Sequence, residues 1–348
     1  MFVLAAERIR ELILTGTWSE SLPGERTLAD ELGVSRPVLR KALLELDREG
    51  WVKISQGKAT RIRRKTFAKN GAQRNAARSI RLLSPLPIRE MPPLVVCWID
   101  ELRERLGGAG YDFDLLVQPS LFRARSSRVV GEELAPHPNA TWILYRANEF
   151  LQRWFAANGL PSLVAGSTFR EIGLSSVDLD HRAVCRHAVG TLLGRGRRKP
   201  ALVIPDSGAI GDRESEAGFA EALETRPEQE RAILRHDGSV ESIVRKVERA
   251  CREGGVDGLV VARSAHALTV LTALQGRGTR VPEDVALISR DDDAFLAETV
   301  PEVARYTSDP RRWAKEIVKG IDAFATQADA NPRTVRLMPR FEPGQSLD

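Results

Sequence analysis

The spacing of apolar residues predicts short helices at the start of the chain. Residues 5–15 carry apolar side chains at helical spacing, and Gly16 can end that helix. A turn, "SLPGER", leads to a second helix over about residues 25–32. Gly33 follows it and suits the left-handed conformation that often closes a helix. The pattern therefore predicts two helices joined by a turn.

A third helix is predicted to begin just before a proline. Ser35 is a preferred N-cap residue, so Arg36 is the first helical position and Pro37 the second. Amide groups in the first turn have no acceptor within the helix, so proline costs little there. Pro37 marks the start of this helix, whose predicted buried stripe contains Val38, Leu39, Ala42, Leu43 and Leu46.

Two short strands are predicted to follow this helix. "WVKI" and "ATRIR" flank "SQGK", whose glycine suits a tight turn. A helix, a helix–turn–helix and a β-hairpin together make a winged helix. The predicted first domain covers residues 1–65.

This segment resembles the DNA-binding domain of the GntR family of bacterial repressors. The resemblance runs through "LPGERTLADELGVSRPVLRKALLELDREGWVKISQGKATRI", and the "GK" wing tip is like that of the fatty-acid-responsive branch. It implies that Arg26, Arg36 and Arg40 contact an operator in double-stranded DNA. It also implies that Gln56 and Gly57 of the wing enter the minor groove.

Physical chemistry supports a DNA-binding role for the start of the third helix. Its free amides and positive dipole favour a phosphate near Ser35 and Arg36. Arginine can also donate to both O6 and N7 of guanine. Lys41 on the helix and Lys58 at the wing add positive charge. We therefore expect this helix and the wing to form the DNA-binding surface.

Two positions depart from the family pattern. The family usually has small hydroxyl residues where Pro37 and Val38 stand. Pro37 cannot supply a hydroxyl hydrogen bond, whereas Val38 could contact a thymine methyl group. This departure bears on which operator sequence is read.

Charge is distributed unevenly along the chain. The net charge is +5, but residues 1–89 hold 18 Lys and Arg against 9 Asp and Glu. Between Glu49 and Glu90 there are eleven Lys and Arg and no acidic residue. Such a run is often only a solvated basic surface, but beside a helix–turn–helix it favours contact with a polyanion. Residues 66–78 are predicted to be a basic linker and spacer.

From residue 79 to 348 the pattern alternates strands and helices. "SIRLLSPL", "YDFDLLV", "ATWILYRA", "PSLVAGS", "DGLVVA" and "DVALIS" are predicted strands. Helical patterns such as "EFLQRWFAANG" and "DRESEAGFAEAL" lie among them. This order predicts an α/β fold with doubly wound parallel sheets, and about 270 residues favour two lobes.

This region resembles the effector domain of the LacI/GalR family, which is built like periplasmic sugar-binding proteins. The clearest stretches are "VDLDHRAVCRHAVGTLLGRGRRKPALVIP" and "GTRVPEDVALISRDDD". A GntR-type head joined to such a body is similar to the arabinose-responsive repressors. The resemblance implies three crossovers between the lobes, which we expect near residues 180, 289 and 308.

The resemblance also implies effector-binding residues. Arg213 matches an arginine that grips effector hydroxyls or a carboxylate, and Asp291 matches an aspartate that accepts from hydroxyls. Where the family commonly has Asn-Asp, this chain has Arg263 and Ser264. We hypothesise that Arg263 binds an acidic effector such as a uronate or sugar phosphate. Alternatively, Arg263 lies at the rim of the cleft and binds nothing.

Two other function classes fit the sequence less well. Asp291, Asp292 and Asp293 could be an acid/base or metal cluster, but no histidine pair, P-loop or nucleophile elbow accompanies them. A plain sugar-binding protein would lack the basic winged helix. We therefore expect no catalytic or metal site, no cofactor and no membrane segment. The favoured prediction is a cytoplasmic, homodimeric transcription regulator, a repressor, with a carbohydrate or sugar-acid effector.

Overall fold

The computed structural model of this chain forms two compact units, residues 1–77 and 78–348. Each unit is described by itself. The structure describes residues 2, 5–6, 8–9, 12, 18, 21–48, 51–54, 60–62, 79–224, 232–326 and 331–348.

The first unit contains the predicted helix–turn–helix and hairpin. The helices are α1 (Glu25–Leu32) and α2 (Arg36–Arg48). Strands β1 (Val52–Lys53) and β2 (Arg61–Ile62) pair antiparallel. Gly33 has a φ of 62° and closes α1, as its sequence position predicted. Residues 5, 6, 8, 9 and 12 are helical.

The core of the first unit lies between these elements. Ile9, Leu28, Leu39 and Leu46 are completely buried, together with Val52 of the hairpin. They come from the predicted apolar stripes. Replacing one such leucine by alanine typically costs about 2–5 kcal/mol. The same stripes that predicted the helices therefore join them into one core.

The second unit contains twelve strands within the described residues. Their bounds are β3 (Ser79–Ser84), β4 (Asp112–Val117), β5 (Ala140–Tyr145), β6 (Ser162–Ala165), β7 (Ser175–Leu179), β8 (Pro200–Pro205), β9 (Ala232–His236), β10 (Gly258–Val261), β11 (Ala286–Ser289), β12 (Ala304–Thr307), β13 (Thr334–Leu337) and β14 (Arg340–Glu342).

Helices connect these strands. The α-helices are α3 (Pro93–Gly108), α4 (Ser127–Leu134), α5 (Glu149–Ala157), α6 (His181–Gly194), α7 (Ile210–Ala222), α8 (Val240–Arg252), α9 (Ser264–Gly276) and α10 (Pro310–Thr326). Short 3-10 helices in the described part of this unit are Ile88–Glu90, Leu121–Arg123 and Ala294–Glu298.

The strands form two six-stranded sheets, one in each lobe. In lobe I the order is β13-β7-β6-β5-β3-β4, and every pairing is parallel. In lobe II the order is β14-β12-β11-β10-β8-β9, and only the edge strand β14 pairs antiparallel. The predicted α/β fold with parallel sheets is confirmed.

The chain passes between the two sheets after β7, after β12 and after β13. The expected crossover near residue 289 is wrong. Strand β11 ends at Ser289, but Ile288 and Ser289 pair in parallel with Ala304 and Arg305 of β12. The chain therefore stays in lobe II after residue 289. The crossover that the prediction missed connects β13 with β14, two short strands at sheet edges.

Helices cover both faces of each sheet. In lobe I, α3 and α10 bury Trp98 and Ile317 on one face, and α5 buries Phe155 on the other. In lobe II, α6 and α7 pack on one face, and α8 and α9 on the other. Helices α6 and α7 lie so close that a Cβ atom at Gly218 would fall 2.0 Å from the carbonyl oxygen of Arg182. This contact fixes α7, which begins at the cleft between the lobes.

No helix within the described part of the chain is both long enough and apolar enough to span a membrane.

Candidate DNA-binding surface and effector cleft

Helix α2 begins where the sequence predicted. Arg36 is its first residue and Pro37 its second, and the N–H of Leu39 donates to the carbonyl of Ser35 at 3.0 Å. The hydrogen bond that closes the first turn is therefore made by Leu39, beyond the proline. Proline thus stands where a missing N–H removes no helical hydrogen bond.

The start of α2 presents a basic face to solvent. Arg36, Pro37, Arg40 and Lys41 are exposed, while Val38 is half-buried. Ser35 before the helix and Arg26 on α1 are also exposed. The wing residues predicted to contact DNA, Gln56, Gly57 and Lys58, lie outside the described residues.

Arg40 has a partner within the same unit. Its Nε donates to Oε2 of Glu25 at 2.9 Å, which links α2 to the first residue of α1. Both side chains are exposed, so this ion pair contributes about 1 kcal/mol or less to stability. A phosphate or guanine approaching Arg40 would compete with Glu25.

The cleft of the second unit lies at the carboxyl ends of the lobe II strands. In a parallel sheet these ends meet at one edge, where ligands of doubly wound folds bind. Arg263 lies just after the end of β10 and is the residue immediately before α9. Arg290 and Asp291 follow β11, and Asp212 lies in the first turn of α7, which comes after β8. The fold thus brings four charged residues from three strand ends together.

These four residues form a closed ring of alternating charge, which we call the charge ring. Asp212 accepts from Nη2 of Arg263 at 3.0 and 2.9 Å and from Nη1 of Arg290 at 3.1 Å. Asp291 accepts from Nε of Arg290 at 3.1 Å, and its Oδ2 lies 3.8 Å from Nη1 of Arg263. Two arginines and two aspartates leave the ring without net charge.

The inner half of the ring is shielded from water. Arg290 is 3% exposed and Asp212 is 5% exposed, whereas Arg263 and Asp291 are partly open. Burial raises the pKa of Asp212, but Arg263, Arg290 and a hydrogen bond from Ser207 outweigh it and lower that pKa to about 2. Burial likewise opposes ionisation of Arg290, but Asp291 and Asp212 raise its pKa above the usual value. Asp212 and Arg290 are therefore both charged at neutral pH.

Lobe I supplies a tyrosine and a carboxylate to the same cleft. Burial raises the pKa of Tyr145 at the end of β5, while Arg146 and Arg263 oppose that rise and Asp291 adds to it. Asp178 at the end of β7 accepts from Oγ of Ser167 at 2.5 Å. Residues of both lobes thus act on one another electrostatically across this cleft.

Asp178 also contacts the start of lobe II. Its Oδ1 lies 3.4 Å from Nε2 of His181, the first residue of α6. Burial raises the pKa of Asp178, but His181 and hydrogen bonds from Ser167 and the N–H of Leu179 lower it overall. The ring of His181 also lies against Gly211, where a Cβ atom would be 2.7 Å from Cδ2. His181 therefore joins the first crossover to the start of α7.

Two histidines, His236 and His266, lie near Arg263. The rings of His236 and His266 are perpendicular, with centroids 4.7 Å apart. The N–H of Gly238 donates to Nδ1 of His236 at 3.1 Å, so the proton of the neutral ring is on Nε2. Burial, His266 and Arg263 lower the pKa of His236 to about 4. This histidine is neutral at physiological pH.

An ion pair joins the two lobes beside the cleft. Nη1 of Arg336, on β13 of lobe I, lies 3.4 Å from Oε2 of Glu214, on α7 of lobe II. Both groups are partly exposed, so the pair is screened by water.

The effector residues expected from sequence have different surroundings. Arg263 and Asp291 are brought together in the charge ring. Arg213 is exposed on α7, next to Asp212 but outside the ring. Asp291 and Asp292 do not converge, because Asp291 contacts Arg290 while Oδ1 of Asp292 lies 3.0 Å from Nε of Arg305. Among the described residues, no three His, Cys, Asp or Glu side chains are grouped to hold a metal ion.

Sequence reasoning missed Asp212 and Arg290. A signal for Asp212 is present: Asp212, Ser215 and Phe219 have the spacing of one helix face, and all three are buried. A carboxylate on the buried face of a helix requires a cationic partner. Arg290, by contrast, follows an apolar strand with no pattern that distinguishes a buried arginine from an exposed one.

Comparison with known proteins finds a matching family model within each unit. Residues 4–62 match the bacterial regulatory proteins of the gntR family, and residues 189–347 match the periplasmic binding protein-like domain. Over 58 residues the chain is 41% identical to the fatty acid metabolism regulator protein of Haemophilus influenzae, covering 15% of this chain and 24% of that protein. The chain thus spans about a quarter of the length of that relative.

A longer match spans about half of the chain. Over 179 residues the chain is 26% identical to the HTH-type transcriptional regulator AscG of Escherichia coli, which covers 51% of this chain and 53% of that protein.

Solved structures share the fold. The cellobiose complex of the transcriptional regulator CelR has a TM-score of 0.68 and 20% identity, covering 93% of this chain and all of that one. The transcription regulator CcpA of Lactococcus lactis has a TM-score of 0.67 and 16% identity, covering 78% and 99%. This chain thus combines a domain that matches the bacterial regulatory proteins of the gntR family, at residues 4–62, with one that matches the periplasmic binding protein-like domain, at residues 189–347.

Proposed function

We propose that this chain is a cytoplasmic, DNA-binding transcription regulator, a repressor, whose affinity for its operator is controlled by a small effector in the cleft between lobes I and II. This proposal rests on the presence of both units in one chain. One unit has an exposed basic helix start, and the other has a charged cleft between two lobes.

The start of α2 is the proposed reading surface. Arg36 and Arg40 are exposed and can donate to guanine or to phosphate, and Lys41 can contact phosphate. Pro37 and Val38 offer apolar surface to the groove, with Ser35 before them. Arg26 on α1 and the wing residues Gln56, Gly57 and Lys58 complete the proposed contacts.

The cleft is the proposed effector site. Asp291 accepts hydrogen bonds and Arg263 donates them, which suits hydroxyl groups because these do both. Arg213 is proposed to reach the effector from the rim of the cleft. A carbohydrate or a sugar acid is the proposed class, in keeping with the cellobiose in the CelR complex.

Regulation requires that the effector bind two arrangements of the lobes with different affinity. We propose that a homodimer places two α2 helices on the half-sites of a near-palindromic operator. The effector then changes the distance between the two DNA-binding units by changing the angle between the lobes.

The test is a thermal-shift screen of the full chain with neutral sugars and sugar acids, followed by DNA binding with each compound that stabilises it. The proposal expects at least one stabilising compound to change DNA affinity. A chain that binds DNA with the same affinity whatever sugar it holds would contradict the regulatory role.

A further inference from the structure

We propose that Asp212 is a specificity-determining residue that closes the cleft to anionic effectors, so that the effector carries no net charge. This inference rests on the proposed effector site and selects between its two chemical classes, neutral sugar and sugar acid.

The first argument is the position of the Asp212 carboxylate. Both of its oxygens lie within 3.0 Å of Nη2 of Arg263, and it is almost completely buried. An anionic effector would need Arg263 as its cationic partner, but the charge of Arg263 is already balanced by Asp212. An effector carboxylate would compete with Asp212 for Arg263, and Ser207 and Arg290 also hold Asp212 in place.

The second argument is the charge of the remaining groups. Asp291 belongs to the ring, and the charges of Asp291 and Asp178 both act on Tyr145, as do those of Arg146 and Arg263. An anion near Arg263 would thus meet two further carboxylates. Arg146 and Arg213 are exposed, so water and salt screen their attraction.

The third argument is what the ring leaves open. Nη1 of Arg263 donates to the carbonyl of Ala262 at 3.0 Å and lies 3.8 Å from Oδ2 of Asp291, which is too far for a hydrogen bond, and both side chains are partly exposed. An acceptor and a donor at this distance match neighbouring hydroxyl groups of a polyol, which can donate to one and accept from the other. A neutral effector uses both groups without breaking the ring.

Four full-length proteins separate the contributions of charge. The wild-type ring has no net charge, Asp212→Asn gives +1, Arg263→Met gives −1, and the double variant restores zero. Asp212→Asn keeps the size of the side chain. Glu216→Gln is the matched control, since Glu216 lies on the same helix but pairs with Arg235 away from the ring.

The measurement is calorimetric titration with matched sugars, such as galactose with galacturonate and ribose with ribose 5-phosphate. We expect the wild type to prefer the neutral member at least about tenfold, because an uncompensated charge at a half-buried site is poorly screened. Asp212→Asn should bind the acidic member about tenfold tighter than the wild type does. The double variant should return to the wild-type ratio.

Several results would overturn the inference. A wild type that binds the acidic member as tightly as the neutral one contradicts it, as does a folded Asp212→Asn with an unchanged ratio. If Asp212→Asn does not fold, salt dependence of the wild type decides: affinity for a neutral effector is insensitive to salt, whereas affinity that weakens with salt indicates an anion. If the wild type binds neither member, the proposed effector site itself is contradicted. DNA binding, measured separately, would be unaffected.

Discussion

In the interior of lobe II, the carboxylate of Asp212 accepts a hydrogen bond of 3.1 Å from Nη1 of Arg290. Arg290 is 3% exposed and also donates to Ser215 and Asp291. A buried arginine of this kind is stable only while its partners remain, because an unpaired buried charge is strongly unfavourable. The relationship therefore ties the start of α7 to the end of β11, directly beneath the proposed effector site.

Arg290→Met should destabilise lobe II by about 3–5 kcal/mol, because it leaves Asp212 and Asp291 with one fewer cation in a buried site. Denaturant unfolding followed by circular dichroism measures the loss. Arg153→Met is the matched control: Arg153 pairs with Glu149 on the surface of α5, and its loss should cost about 1 kcal/mol or less. Equal effects of the two substitutions would contradict the structural role of Arg290.

His236 should make stability depend on pH between about 6.5 and 4. Burial lowers the pKa of His236 in the folded chain to about 4, below its ordinary value of about 6.5, so the unfolded chain binds the proton more tightly in this window. Stability is complete above pH 6.5 and falls by about 3 kcal/mol as the pH approaches 4. His236→Asn should reduce that slope, as followed by thermal unfolding from pH 7 to 4. An unchanged slope would show that His236 is protonated without cost in the folded state.

Glu25 should weaken DNA binding by holding Arg40. Glu25→Gln removes a negative charge near the proposed phosphate contacts and frees the guanidinium, so affinity should rise. Arg40→Ala should reduce affinity by about 1–3 kcal/mol. Fluorescence anisotropy with a duplex that the full chain selects from a random pool measures both. Arg128→Ala, a surface arginine of lobe I paired with Glu132, should change nothing. The idea fails if Glu25→Gln and Arg40→Ala shift affinity in the same direction.

Pro37→Thr should leave folding intact and change operator affinity or base preference. Position 37 is exposed at the second residue of α2, so the substitution should alter stability by about 0.5 kcal/mol or less. A threonine there adds a hydroxyl that can donate to phosphate or base. Thermal unfolding and repeated selection from random DNA check the two parts. If affinity and preference both match the wild type, the front of α2 does not face DNA as proposed.

Much of the fold followed from periodicity. The apolar stripe of α2, the alternation of strands and helices, and the glycine at position 33 each depend on local chemistry, so sequence alone predicted them. The crossover near residue 289 was wrong because strand pairing is a long-range property. Nothing in the residues around Ser289 indicates that the next strand, fifteen positions later, pairs in the same sheet.

The candidate site was predicted less completely. Asp291 and Arg263 were identified one at a time, but their surroundings depend on Asp212 and Arg290, which are 51 and 27 residues from Arg263 in the sequence. The sequence suggested a free cation at Arg263. The ion pair that balances this charge with Asp212 depends on the folded arrangement of the strand ends, which the sequence did not predict.

DNA binding is the central claim, and its dependence on salt tests it most directly. The full chain and Arg36→Ala are titrated by anisotropy against the selected duplex from low to high salt. The account predicts that wild-type affinity falls steeply and linearly on a log–log plot, since phosphate contacts release counterions. It also predicts that Arg36→Ala binds more weakly with a shallower slope. A wild-type affinity that stays flat across salt, or a variant indistinguishable from the wild type, would contradict it.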